Sequence, residues 1–366
     1  MNRRIAFFLP SLAGGGAERV CVNLADGFLG YGFEVDFALA QAAGPLLRAI
    51  PAGARILDLG ARRTFSALRP LAAYLRRERP YALIAAPDHA NLIAVWAELL
   101  AGAGTRVVVT NHVNASLSIR NSPKLQEKLY PQLLRLFQPG AYAIVSVSSG
   151  AADDLARLAG IPRQRITVIY NPVVTPDIHS LRAAPLDHPW FAAGQPPVVL
   201  AAGRLTAQKD YPTLLRAFVA LRGQRPARLI ILGEGEQRAE LQALIESLDL
   251  AADVDLPGFV ANPYAFMARC GVFVLPSAWE GFGIVLAEAL ACGAQVVATD
   301  CPSGPAEILE NGKYGRLVPV GDAPALAGAL AAALDHPLPV EGLLARASSF
   351  SVGAATGSYL RVLGLA

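Results

Sequence analysis

Charge is scarce in this chain: only 17% of its 366 residues are Asp, Glu, Lys or Arg, against 53% hydrophobic. That balance excludes a disordered polypeptide and suits buried parallel strands covered by Ala-rich helices. The net charge of +3 is too small to support a nucleic-acid partner, even at a sequence pI near 8.7. Cysteine is sparse as well. Cys21, Cys270, Cys292 and Cys301 form no Cys-x-x-Cys pair and have no histidines at metal-ligand spacing, so they read as reduced core residues of a cytoplasmic protein. No run approaches ~20 uninterrupted apolar residues, which argues against a membrane-spanning helix. The apolar start stops at Pro10 and reads as a first strand rather than a signal peptide.

What the chain does contain is alternation. Apolar runs at 5–9, 35–40, 83–86, 106–110, 143–147 and 166–170 are each followed by a helical pattern, the signature of βαβ units and a parallel sheet. Residues 171–197 then hold six prolines, which predicts a linker. Alternation restarts at 198–202, 229–232, 254–256, 272–275, 295–299 and 315–318. The length allows two domains, each with its own core. A last helical pattern covers roughly 354–363.

Several sites could carry chemistry. Gly14-Gly15-Gly16 follows the first strand and opens a helix, a place where backbone amides meet an anion or a sugar, or simply a tight turn. A dinucleotide fingerprint fails twice, because Arg19 and Arg238 stand where its third glycine belongs. Arg204 and Lys209, on the loop after the first strand of the second half, could grip a diphosphate from two directions. Glu280 sits on a loop expected at a strand's carboxyl end, where open α/β sheets bind ligands. Glu288 is stranger. Its helical neighbours are Ile284, Val285, Ala291 and Cys292, so the carboxylate faces apolar surroundings and must find buried donors or a ligand that supplies them. Asp253-Val254-Asp255 is an Asp-x-Asp, but it opens a strand, a poor place for a metal-bound donor. His112 follows the 106–110 strand, and Asp88-His89 competes with it for any catalytic part. Finally, seven arginines between Arg55 and Arg79 interleave with Phe65, Leu68, Leu71, Tyr74 and Leu75. This basic amphipathic stretch suits an anionic membrane surface or a phosphate-bearing substrate, or is a solvated helix.

Taken together, Gly203-Arg204-Leu205 through Lys209, Gly233-Glu234-Gly235, Gly258-Phe259-Val260, Glu280 with Glu288, residues 301–309 and 311–318 with Asp322 resemble the family-4 glycosyltransferases of GT-B fold. Gly14 to Glu18 and Tyr170-Asn171-Pro172 agree, so the resemblance covers nearly the whole chain. It implies an α/β fold of two Rossmann-like domains facing each other across a cleft: residues 1–175 binding acceptor, 190–345 binding nucleotide sugar, and 346–366 a helix packing back toward the first domain. It implies retaining transfer from a nucleotide sugar, a UDP-sugar rather than GDP-mannose, to a glycan or polyprenyl-linked acceptor. Cell-surface polysaccharide or lipopolysaccharide synthesis on the inner face of the cytoplasmic membrane is the setting it suggests. Neither a metal nor a separate cofactor is expected. Carried onto these residues, Arg204 and Lys209 neutralise the leaving diphosphate, Glu280 holds donor-sugar hydroxyls, and Glu288 accepts from the ribose. His112 has a catalytic part near the donor sugar. Gly15, Gly16, Phe259 and the amides around Phe282, Gly283 and Ile284 meet the donor. Two readings compete: a GT-B nucleotide-sugar epimerase, and a non-catalytic sugar-nucleotide-binding protein. Acceptor contacts are expected on loops 56–66 and 115–123.

Overall fold

The computed structural model describes residues 3–121, 130–137 and 140–366. The chain forms two compact units, Met1–Val173 with Ser351–Ala366, and Val174–Phe350.

Among the described residues the first unit carries seven parallel strands: β1 (Arg4–Leu9), β2 (Glu34–Leu39), β3 (Ala54–Asp58), β4 (Ala82–Ala85), β5 (Arg106–Asn111), β6 (Ala143–Ser146) and β7 (Ile166–Val168), in the order β3-β2-β1-β4-β5-β6-β7. Helices connect them, so the central strands are covered on both faces and read as continuous apolar runs. Six of the seven match the apolar runs above. The exception is β3, an edge strand with exposed Arg55, Ile56 and Asp58 that lacks an apolar run. Loop 56–66 therefore begins inside a strand. The basic stretch is likewise not one helix but β3, a short turn at Thr64–Ala67 and the helix Leu68–Glu78. Leu71, Tyr74 and Leu75 are its buried face.

Several of those arginines are committed inside the unit. Arg55 grips the buried Asp36 of β2 through Nε at 3.0 Å and Nη2 at 2.6 Å, and Tyr74 donates to the same carboxylate at 2.7 Å. Arg77 donates to Glu78 at 3.0 Å, and Arg76 donates to Leu100 and Ala101 carbonyls. Arg62, Arg63 and Arg69 remain exposed.

The C-terminal helix Val352–Leu363 completes this first unit. Ser351 caps it by accepting from the Ala354 amide at 3.3 Å. Its Thr356 lies so close to Gly27 on the helix Gly16–Gly30 that a Cβ there would stand 2.0 Å from the Thr356 hydroxyl. Phe28 meets Tyr359 edge-on at 6.4 Å, and Tyr81 donates to the Leu363 carbonyl at 3.0 Å.

The second unit has six parallel strands: β8 (Val198–Ala202), β9 (Arg228–Leu232), β10 (Val254–Gly258), β11 (Val272–Leu275), β12 (Val296–Thr299) and β13 (Arg316–Val318), ordered β10-β9-β8-β11-β12-β13. All six match expected runs. Strand order reverses direction between β8 and β11, so the loops leaving their carboxyl ends flank a switch point, where such sheets bind ligands. The proline-rich stretch is not a free linker. Its carbonyls are taken by donors of the second unit, Asn262 to Leu181 at 2.8 Å and Arg269 to Ala184 at 2.9 Å, while its Arg182 donates to Ala291 at 3.1 Å.

Candidate functional site

Four loops meet at the carboxyl edge of the second sheet. The turn after β8 starts at Gly203 and ends at Asp210, whose carboxylate caps the helix Tyr211–Arg222. Gly233, after β9, packs against it so closely that a Cβ would lie 2.0 Å from the Gly203 carbonyl oxygen. The turn after β11 is tied to the β8 turn by Gln208, which donates to the Trp279 carbonyl at 2.8 Å and accepts through its own carbonyl from the Ala278 amide at 2.8 Å. Gly304, after β12, has φ +98, and a Cβ there would sit 2.0 Å from the Phe282 carbonyl oxygen. Bare glycine backbone is therefore what lets these loops converge.

That convergence brings Lys209 to Glu280 across 71 residues of sequence, Nζ to Oε1 at 2.5 Å. Ser277, itself buried, donates to the same oxygen at 2.7 Å, and Thr299 holds Ser277 by donating to its carbonyl at 2.5 Å. Glu280 is 6% exposed. Arg204, by contrast, is exposed and makes no hydrogen bond or ion pair among the described residues. One cation is thus anchored and the other is open to an anion.

Glu288 lies on the helix Ile284–Ala291 and is 2% exposed. Its Oε1 accepts from the Tyr264 hydroxyl at 2.9 Å. The burial was legible in sequence; the donor was not, because Tyr264 stands 24 positions away on the short helix Pro263–Met267. Gly283 precedes the Glu288 helix with φ +95, and Ile284 is partly exposed at its start. The Phe282 ring is core, edge-on to Phe350 at 5.5 Å, so only its backbone faces the loop. Phe259, just beyond β10, is 77% exposed. Among the described residues no three metal-ligating side chains cluster. Asp253 is committed to Arg222 and Arg228, and Asp255 to His188 at 3.1 Å.

Gly15, Gly16 and His112 belong to the first unit, on loops at the carboxyl edge of its own sheet. The amides of Gly14 and Gly15 already donate to the Glu18 carboxylate, at 2.6 and 2.8 Å, and Gly16 begins the helix. His112 Nε2 pairs with the Thr110 hydroxyl at 2.9 Å. Enclosure pushes its pKa down to about 4, so the ring is neutral near pH 7 and cannot serve there as a standing cation. Its rival His89 is exposed; the side chain of Asp88 is not among those described. The stretch 115–123, expected as an acceptor loop, is instead the helix Ala115–Asn121, with residues 122 and 123 outside the described residues. All four cysteines are free thiols. Burial, then the charge of Glu288 or Glu280, raises Cys292 and Cys301 to about 12, which leaves them inert as nucleophiles.

Two family models match the chain, Glycosyltransferase Family 4 over residues 14–176 and Glycosyl transferases group 1 over residues 187–347. An N-acetylgalactosamine-N,N'-diacetylbacillosaminyl-diphospho-undecaprenol 4-alpha-N-acetylgalactosaminyltransferase of Campylobacter jejuni is 31% identical over 331 residues, 87% of this chain and 86% of that one. The chain is a family-4 glycosyltransferase. A lipopolysaccharide core biosynthesis glycosyltransferase of Rhizobium meliloti, LpsE, is 32% identical over 239 residues, 64% of this glycosyltransferase and 67% of its relative. Among solved structures, Anabaena Alr3699/HepE with UDP-glucose superposes with a TM-score of 0.78 at 22% identity, covering 99% of both chains. The apo lipopolysaccharide outer core galactosyltransferase WaaB gives 0.74 at 21%, also over 99% of both. These likenesses place the glycosyltransferase in the GT-B fold of two Rossmann-like domains. No helix among its described residues is long and apolar enough to cross a membrane.

Proposed function

We propose that this glycosyltransferase moves a sugar from a UDP-sugar to a glycan or polyprenyl-linked acceptor of a cell-surface polysaccharide, with retention of anomeric configuration. The observation that carries this reading is the Lys209–Glu280 pair at the carboxyl edge of the second sheet, with Arg204 exposed on the same turn as Lys209 and Glu288 buried on the helix that follows the Glu280 loop. The Campylobacter relative's name specifies an alpha linkage made on a diphospho-undecaprenol carrier, and HepE was solved with UDP-glucose; both lend support.

In this reading Arg204 and Lys209 face the diphosphate. Cleavage of the bond between the anomeric carbon and the phosphate oxygen leaves charge on the phosphate, and preorganised cations lower that barrier as oxyanion donors do. Glu280 orients donor-sugar hydroxyls. Glu288, held by Tyr264, accepts from the ribose, and the exposed Phe259 ring offers a face to the base. The amides at Gly283 and Ile284 open a helix and suit phosphate or sugar oxygens. Neutral His112 contributes a hydrogen bond near the donor sugar rather than a charge. Fixed cations remove the need for a metal, so chelator should leave turnover intact.

Thermal shift against a panel of nucleotide sugars tests the donor, since a ligand at 100 times its Kd stabilises by about 2.7 kcal/mol. Stabilisation by GDP-mannose but not by any UDP-sugar would sink the choice of nucleotide. Lys209→Met should then lower turnover on the order of 10²-fold or more, and NMR of the product's anomeric proton reads retention directly. Exposed Arg62, Arg63 and Arg69 beside Phe65, which is 58% exposed, suit an anionic bilayer on the cytoplasmic face. Sedimentation with anionic liposomes at low salt that survives charge reversal of these three arginines would dispose of that contact.

A further inference from the structure

Tyr211 is the first residue of the helix Tyr211–Arg222 and is 1% exposed. Its hydroxyl is fully covered and has no hydrogen-bond partner among the described residues. A covered, unpaired hydroxyl is costly, and Phe would fill the same space without that penalty. The hydroxyl is also not placed at random. A Cβ built on Gly203 would lie 3.1 Å from it and 3.1 Å from Lys209 Cε, so phenol and lysine stem converge over the same glycine. Nζ lies one bond, about 1.5 Å, beyond Cε, and carries three donors. One of them is now spent on Glu280.

We propose that Tyr211 is a positioning residue for Lys209, its hydroxyl accepting from the ammonium when a donor diphosphate draws Nζ away from Glu280. The step is a change of hydrogen-bond partner with no covalent change. Glu280 is released toward the donor sugar, and the phenol prevents the long side chain from dispersing among rotamers. Gly203 permits this because any side chain there would occupy the space that the phenol and the lysine stem share. The inference rests on the reading of Lys209 as a diphosphate ligand.

Calorimetric titration of the full chain with UDP and with uridine tests it, in wild type, Tyr211→Phe, Lys209→Met and the double variant. Tyr211→Phe is expected to weaken UDP binding about 5- to 10-fold, to leave uridine binding unchanged, and to have no effect once Lys209 is Met. Its melting temperature should equal or exceed that of wild type, since only an unpaired hydroxyl is removed. Unchanged UDP affinity in Tyr211→Phe overturns the proposal. So does equal weakening of uridine, or a loss that persists in the Lys209→Met background, because either is what a merely structural residue would give. If wild type binds neither UDP nor uridine, the donor assignment itself fails, and the positioning role falls with it.

Discussion

Replacing Lys209 by Met strands a carboxylate. Glu280 is 6% exposed and receives donors at Oε1 from Lys209 at 2.5 Å and Ser277 at 2.7 Å. Removing one partner of a buried pair costs about 3–5 kcal/mol, because the survivor keeps its desolvation penalty without its counter-charge. The remaining Ser277 bond and the 14% exposure of the Lys209 side chain place this case at the lower end, about 3 kcal/mol. In a unit of this size each kcal/mol moves the melting point by about 2–4 °C, so Lys209→Met should melt roughly 6–12 °C below wild type. Adding Glu280→Gln removes the stranded charge while keeping its shape. The double variant should return to within about 1 kcal/mol of wild type, although both should turn over on the order of 10²-fold or more slowly than wild type. Urea unfolding followed by tryptophan fluorescence in a Trp96→Phe background isolates the second unit, where Trp190 and Trp279 report. Losses that simply add in the double variant, or a single-variant loss below about 1 kcal/mol, would show that the pair is not energetically coupled and refute the reasoning.

Three further outcomes follow from the geometry. Gly304→Ala combines a φ of +98 with a Cβ 2.0 Å from the Phe282 carbonyl oxygen and should lower stability by several kcal/mol, at least about 3; Gly353→Ala, which meets nothing within 4 Å, should be neutral or stabilising in the same melting experiment. Asp36→Asn weakens the acceptor shared by Arg55 and Tyr74 and should cost about 3 kcal/mol, read as earlier urea unfolding of the first unit, whereas Asp26→Asn on the exposed surface should not move it. His112 has a folded pKa of about 4 against an ordinary value of 6.5. Its neutral form is therefore favoured by folding, so the associated stability is intact above pH 6.5 and is lost as pH falls from 6.5 toward 4, by about 3 kcal/mol in all. His112→Gln should flatten the stability profile over that window, and identical wild-type and variant profiles would contradict the assignment.

How much of this was legible beforehand depended on the range of the interaction. Buried parallel strands announce themselves because both faces are apolar, and twelve of thirteen were readable as runs. The miss, β3, is an edge strand whose exposed residues look like loop, and its neighbour Asp36 on β2 lies 19 positions before Arg55. Glu288 betrayed its burial through its own helical neighbours at three and four positions. Its partner Tyr264 and the Lys209–Glu280 contact did not, since both are set by loops that meet only when β8, β10 and β11 stand in their sheet order. The same holds for Tyr211: nothing in Lys209-Asp210-Tyr211-Pro212 distinguishes a core phenol from one placed under the lysine. Basic residues misled for the opposite reason. A run of arginines suggests one solvated surface, yet Arg55 answers an acid and Arg76 two carbonyls within the first unit.

The helix Val352–Leu363 has a consequence for how the protein is made. It belongs to the first unit, covering Gly27 and Phe28 and closing on Tyr81, yet it leaves the ribosome after the second unit. The whole of Val174–Phe350 must be synthesised before it, a delay of roughly 10–35 s at about 5–20 residues per second. Throughout that interval the nascent first unit has a sheet but lacks the helix that seals one of its faces, and the second unit can finish folding ahead of it. The order of birth and the order of completion are thus reversed, and the apolar face around Phe28 is where a chaperone would find this chain waiting.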